Sequence, residues 1–117
     1  MLRLFVLFCA GLAGTPALAH AFLDHAVPAV GSTVRESPRE IRLWFTEQLE
    51  PAFCKARIVD KTGKPVDRGD SHVDSADPTV ITTTVSALPP GTYRVVWRVV
   101  SVDTHVTEGD FIFEVSP

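Results

Sequence analysis

The apolar positions of this chain fall in short alternating runs, not in helical stripes. Ile41, Leu43 and Phe45 alternate with Arg42, Trp44 and Thr46. A period of two predicts a strand with one face buried. Thr92 to Ser101 carries the strongest signal, with Tyr93, Val95, Trp97 and Val99 on one face. Phe111, Phe113 and Val115 predict the inner face of a last strand. Phe22–Val27, Phe53–Val59 and Thr79–Val85 are further candidates, the last rich in β-branched residues. Between them lie turn signals: "PAVGS", "ESPRE", "DKTGK" and "LPPG", where Pro fixes φ and Gly permits a positive one. Residues 66–78, "VDRGDSHVDSADP", are mostly polar and predict a surface loop. No window after residue 19 has helical periodicity, and Pro recurs between the runs. Six or seven short strands predict an all-β domain. The expected form is a Greek-key antiparallel β-sandwich or barrel, immunoglobulin-like in architecture.

The first 19 residues follow a different pattern. Arg3 gives a positive start, Leu4 to Ala13 is an apolar run, and Ala17-Leu18-Ala19 is a small-x-small cleavage site. This predicts a secretory signal peptide over 1–19 and a mature domain over 20–117. The apolar run is shorter than the roughly 20 residues a membrane-spanning helix needs. A lipoprotein anchored through Cys9 fits less well, because Phe8 stands where that signal wants a small residue. No second hydrophobic run follows, so the mature chain is not expected to insert into a membrane.

Composition narrows the function. The chain carries a net charge of −3, and removal of Arg3 leaves 10 basic against 14 acidic residues. With no basic patch, nucleic acid and anionic membrane surfaces are not expected partners. Only Cys54 remains after cleavage, so no internal disulfide can form and the fold rests on its core. A length of 98 residues suits one domain, and a monomer is expected.

Cleavage after Ala19 would make His20 the first residue, and this changes its chemistry. A terminal histidine offers both its α-amine and its ring Nδ1, which close a six-membered chelate on one metal ion. The α-amine loses its proton near pH 8, far more readily than a lysine. Two neutral nitrogens at one corner suit tetragonal Cu(II). In "SVDTHVTEGD", Asp103 and His105 are two apart; in an extended segment they point to the same side, about 6.5–7 Å apart along the chain. One carboxylate and one imidazole would complete three nitrogens and an oxygen. Taken singly, Asp103 also reads as a turn residue bonding its own backbone, and His105 as a hydrogen-bonded surface histidine. His25 has the wrong parity to share a face with His20, and His72 lies in the polar stretch; both read as ordinary surface histidines. Cys54 reads as a small buried hydrophobe, and Trp44 and Trp97 as packing residues.

Longer stretches resemble the CopC family of periplasmic copper-binding proteins: "HAFLDHAVPAVGSTV", "IRLWFTEQLE", "LPPGTYRVVWRVVSVDTH" and "GDFIFEVSP". The resemblance spans the mature chain. It implies a Greek-key barrel or sandwich in the periplasm, acting as a copper carrier in homeostasis or resistance and not as an enzyme. It implies one Cu(II) per chain, held by His20, Asp103 and His105. It implies a place for Glu47 near the copper, either behind the ligands or as a weak axial ligand; a solvated strand-end charge is the alternative. It also implies an inner-membrane CopD-like partner. Some members add a Cu(I) site of methionines, but here the one methionine is Met1, in the leader. Two other readings stay open. A terminal histidine with a second one also forms the copper brace of lytic polysaccharide monooxygenases, although Asp103 would then fill the position oxygen needs. A metal-free interaction module is the other.

Overall fold

The structure is a computed structural model that describes residues 20–117. The expected signal peptide, residues 1–19, lies outside the described residues. Eight strands follow one another: β1 (Leu23–Val27), β2 (Thr33–Val34), β3 (Glu40–Phe45), β4 (Lys55–Val59), β5 (His72–Val73), β6 (Val80–Thr84), β7 (Gly91–Val100) and β8 (Val106–Val115). They form two four-stranded sheets, ordered β1-β3-β6-β5 and β2-β8-β7-β4. The chain passes repeatedly from one sheet to the other, and only β5–β6 and β7–β8 are sequence neighbours that pair. The all-β sandwich expected from the alternation is thus present. Its pairing is antiparallel except at one edge, where β2 runs parallel to β8.

The alternation is what closes the core. Ile41, Leu43 and Phe45 of β3 face Tyr93, Val95 and Val99 of β7 and Phe111, Phe113 and Val115 of β8, all buried. Trp97 lies at the margin of this core, 6.1 Å from the rings of both Phe45 and Phe111. Its cross-strand partner is Gly109, and the indole occupies the space a Cβ there would need. The Tyr93 hydroxyl donates to the carbonyl of Pro89 and ties the "LPPG" turn to β7.

The structure departs from the periodicity in three places. The strand expected over Phe53–Val59 begins at Lys55, because Pro51–Phe53 make a single 3₁₀ turn. Pro starts that turn, and Phe53 is left exposed. Thr33–Val34, after "PAVGS", form the short β2. The polar stretch 66–78 is not simply a loop, since it contains β5, paired with β6. Its acidic residues are structural. Asp67, with a side chain only 1% exposed, accepts the Ile58 N–H at 3.0 Å, while Ser71 Oγ accepts that of Ala56 at 3.3 Å. Side chains thereby cover the free edge of β4, which would otherwise present unpaired donors. Asp70 accepts the Thr84 N–H at 2.8 Å and the Thr83 hydroxyl at 3.1 Å. Among the described residues, no helix is long and apolar enough to cross a membrane.

Candidate metal centre

Three segments meet at one end of the sandwich: His20–Phe22, the stretch Thr46–Leu49 after β3, and the turn between β7 and β8. Backbone and hydroxyl groups join them. Thr46 N–H donates to the Phe22 carbonyl at 2.9 Å. Thr46 Oγ1 accepts the Phe22 N–H at 3.0 Å and donates to the His20 carbonyl at 3.3 Å. Thr107 Oγ1 donates to the Ala21 carbonyl at 2.6 Å. On the other side, Val102 N–H donates to the Gln48 carbonyl at 3.0 Å, and Leu49 bridges to Ser101. Glu47 is a half-buried residue between these two anchor points, so its backbone sits between the His20 segment and the turn.

The turn is built differently from the extended segment expected for Asp103 and His105. Strand pairing runs to Val100↔Val106, after which Ser101 N–H donates to the His105 carbonyl at 3.0 Å. Thr104 N–H then closes back on the Ser101 carbonyl at 2.8 Å, and Thr104 has φ 72°. A turn followed by a left-handed residue is a common three-residue hairpin loop, with glycine the usual occupant of that last position. A β-branched residue there is an outlier. With the left-handed step in place, Asp103 Oδ1 lies 3.3 Å from His105 Nδ1. Ser101 is buried at the base of the turn. Its hydroxyl donates to Asp103 Oδ1 and accepts the His105 N–H at 3.3 Å. That hydroxyl holds the Asp103 carboxyl below its ordinary range, with His105 contributing in the same direction. The site thus keeps a charged oxygen ready.

His20 completes the arrangement. Its ring lies 4.8 Å from that of His105, centroid to centroid, edge to face. His20, His105 and Asp103 therefore form a chain of neighbours, although among the described residues no three His, Cys, Asp or Glu side chains close on one metal position. His105 Nδ1 is buried and has no hydrogen-bond partner among the described residues. The 3.3 Å approach to Asp103 is within ion-pair range but lacks hydrogen-bond geometry. An unpaired buried ring nitrogen costs about 1–3 kcal/mol, and a metal ion would satisfy it. Two imidazoles and a carboxylate are donors that suit Cu(II).

The other candidates lie apart. His25 is exposed on β1, 2.6 Å from Asp24 and stacked on Trp44 at 4.4 Å, with Arg42 over the same indole. His72 is exposed, with Nδ1 2.9 Å from the Asp70 carbonyl. Cys54 is half-buried, its sulfur accepting the Val100 N–H at 3.3 Å; burial pushes its thiol up, so it stays neutral. Thr46, Ser101 and Thr107 are the residues that sequence reasoning missed. Strand threonines are ordinary, and nothing local marks a hydroxyl that acts across 24 or 86 residues.

The two-sheet fold is shared with solved copper-protein structures. The CopC domain family matches this chain over residues 23–116. Copper resistance protein C of Pseudomonas syringae pv. tomato is 38% identical over 116 residues, covering 93% of this chain and 91% of that protein. Among solved structures, CopC from Methylosinus trichosporium OB3b superposes with a TM-score of 0.75 at 36% identity, covering 84% of this chain and 95% of that one. PcoC, a methionine-rich copper resistance protein from Escherichia coli, gives 0.73 at 36% identity, covering 84% of this chain and all of that one. The chain belongs to the CopC family. The Pseudomonas syringae relative and PcoC are copper resistance proteins by name.

Proposed function

We propose that the mature chain is a periplasmic Cu(II) carrier with one site per chain. The His20 amine and ring, His105 and Asp103 are its ligands, and Glu47 stands beside it. The observation that carries this reading is the 4.8 Å meeting of the His20 and His105 rings, with Asp103 against His105. The unpartnered His105 Nδ1 supports it as a free donor. In the precursor the His20 nitrogen is an amide bonded to Ala19, so the full donor set exists only after cleavage. Copper is cargo here, handed on to an inner-membrane partner of the CopD kind. The test is an electron paramagnetic resonance titration of protein starting at His20. We expect saturation at one Cu(II) with a nitrogen-rich tetragonal spectrum, lost in His105→Ala and kept in His72→Ala. Unchanged affinity in His105→Ala would overturn the site.

A further inference from the structure

We infer that Thr107 is a positioning residue of the copper site, acting through the segment that carries His20. This rests on the ligand set proposed above. Ala21 is fully buried, and its carbonyl accepts the Thr107 hydroxyl at 2.6 Å. Thr107 follows His105 by two residues, on the first turn-proximal positions of β8, where it pairs with Val99. One short stretch of chain therefore supplies His105 and also fixes where His20 can be. On the far side, Thr46 holds the Phe22 N–H and the His20 carbonyl. With residues 20–22 held from both sides, the His20 ring and nitrogen are the parts left to move. A ring that must approach another to 4.8 Å needs such a tether, because a chain terminus is otherwise the most mobile part of a domain. Thr107 is the tether built into the same strand as the second histidine. Valine at 107 would keep the shape and remove the donor, which separates positioning from packing.

The experiment compares Cu(II) affinity and paramagnetic resonance spectra of the mature protein with those of Thr107→Val, Thr107→Ser, His20→Ala and the Thr107→Val/His20→Ala pair. Groups that orient metal ligands are worth about 10–100-fold in metal affinity, and Thr107→Val should fall in that range, with a spectrum poorer in nitrogen. Thr107→Ser, which restores the hydroxyl, should recover most of the affinity. Once His20 is alanine, the terminal amine is the one donor left for the tether to place, so adding Thr107→Val should cost clearly less than it does in the mature protein. Metal-free urea unfolding of each variant establishes that the fold is kept. Wild-type affinity and spectrum in Thr107→Val would overturn the inference, as would an equal loss in the His20→Ala background. If His20→Ala itself binds Cu(II) as well as the mature protein does, it is the ligand set that fails.

Discussion

Thr104 is the place where stability and function should pull apart. Its φ of 72° is left-handed, and it lies between the two neighbours that the turn brings together, Asp103 and His105. For an L-residue this conformation costs roughly 1–2 kcal/mol, with β-branching toward the upper end. Thr104→Gly removes that cost but gives the unfolded chain more freedom, worth about 0.5–1 kcal/mol in the other direction. The side chain is exposed and its hydroxyl bonds only the preceding carbonyl, of Asp103, so little else is lost. The net expectation is a gain of about 0.5–1 kcal/mol, which for a domain of this size raises the unfolding temperature by about 2–8 °C. Asn at 104, which tolerates the left-handed region, should also raise it. Calorimetry of the metal-free mature chain measures this. The same glycine lets the turn sample other shapes, so the Asp103–His105 spacing is no longer imposed and Cu(II) affinity should fall several-fold. A lower or unchanged unfolding temperature in Thr104→Gly would refute the claim that this turn is strained.

Gly109→Ala should destabilise, because its Cβ would stand 2.2 Å from Trp97 Cζ2 and 2.6 Å from Cη2. The indole, flanked by Phe45 and Phe111, must move at a cost of about 1–3 kcal/mol, read as a lower urea midpoint and altered tryptophan fluorescence; an unchanged midpoint would mean the ring is freer than its packing implies. Acid should act partly through Asp70, whose carboxyl is lowered to about 2, chiefly by the Thr84 hydroxyl. A carboxyl lowered on folding adds stability above its unfolded value near 4, and that stability is lost as pH falls toward the folded value. Asp70→Asn should therefore flatten the loss of stability between about pH 4 and 2, and an identical pH profile would count against it. With Met1 the only methionine and the Cys54 thiol held neutral, the mature protein should bind Cu(I) weakly. Competition against a Cu(I) chelator tests this, and tight stoichiometric retention would contradict it.

What the sequence discloses is what repeats. The inner faces of β3, β7 and β8 are legible because each has at least three inward apolar residues in a period of two. β5 is not, because it offers one inward apolar residue, Val73, and is held by backbone pairing and neighbouring acidic side chains. A two-residue strand has no period to read, which also hides β2. Phe53 shows the reverse: it continues the apolar pattern of the strand beside it, but Pro51 turns the chain first.

The site divides along the same line. The ligands proposed above, His20, Asp103 and His105, are legible as residue types, because the amine that cleavage would free, a carboxylate and an imidazole carry their chemistry with them. Their geometry is not. A spacing of two places Asp103 and His105 on one side of an extended segment. They do lie side by side, but through a left-handed residue and a buried serine, with ring nitrogen and carboxylate 3.3 Å apart. That half of the site inherits its rigidity from the ten-pair ladder between β7 and β8, which ends at Val100↔Val106 just before the turn. The His20 half has no ladder of its own. It depends on buried Ala21, on the Thr46 N–H and on two threonine hydroxyls, contacts made across 24 to 86 residues of sequence. Sequence pattern reports interactions that recur along a strand, whereas a single hydroxyl meeting a single carbonyl leaves no pattern. The part of the site most exposed to disruption is therefore also the part that only the folded chain makes visible.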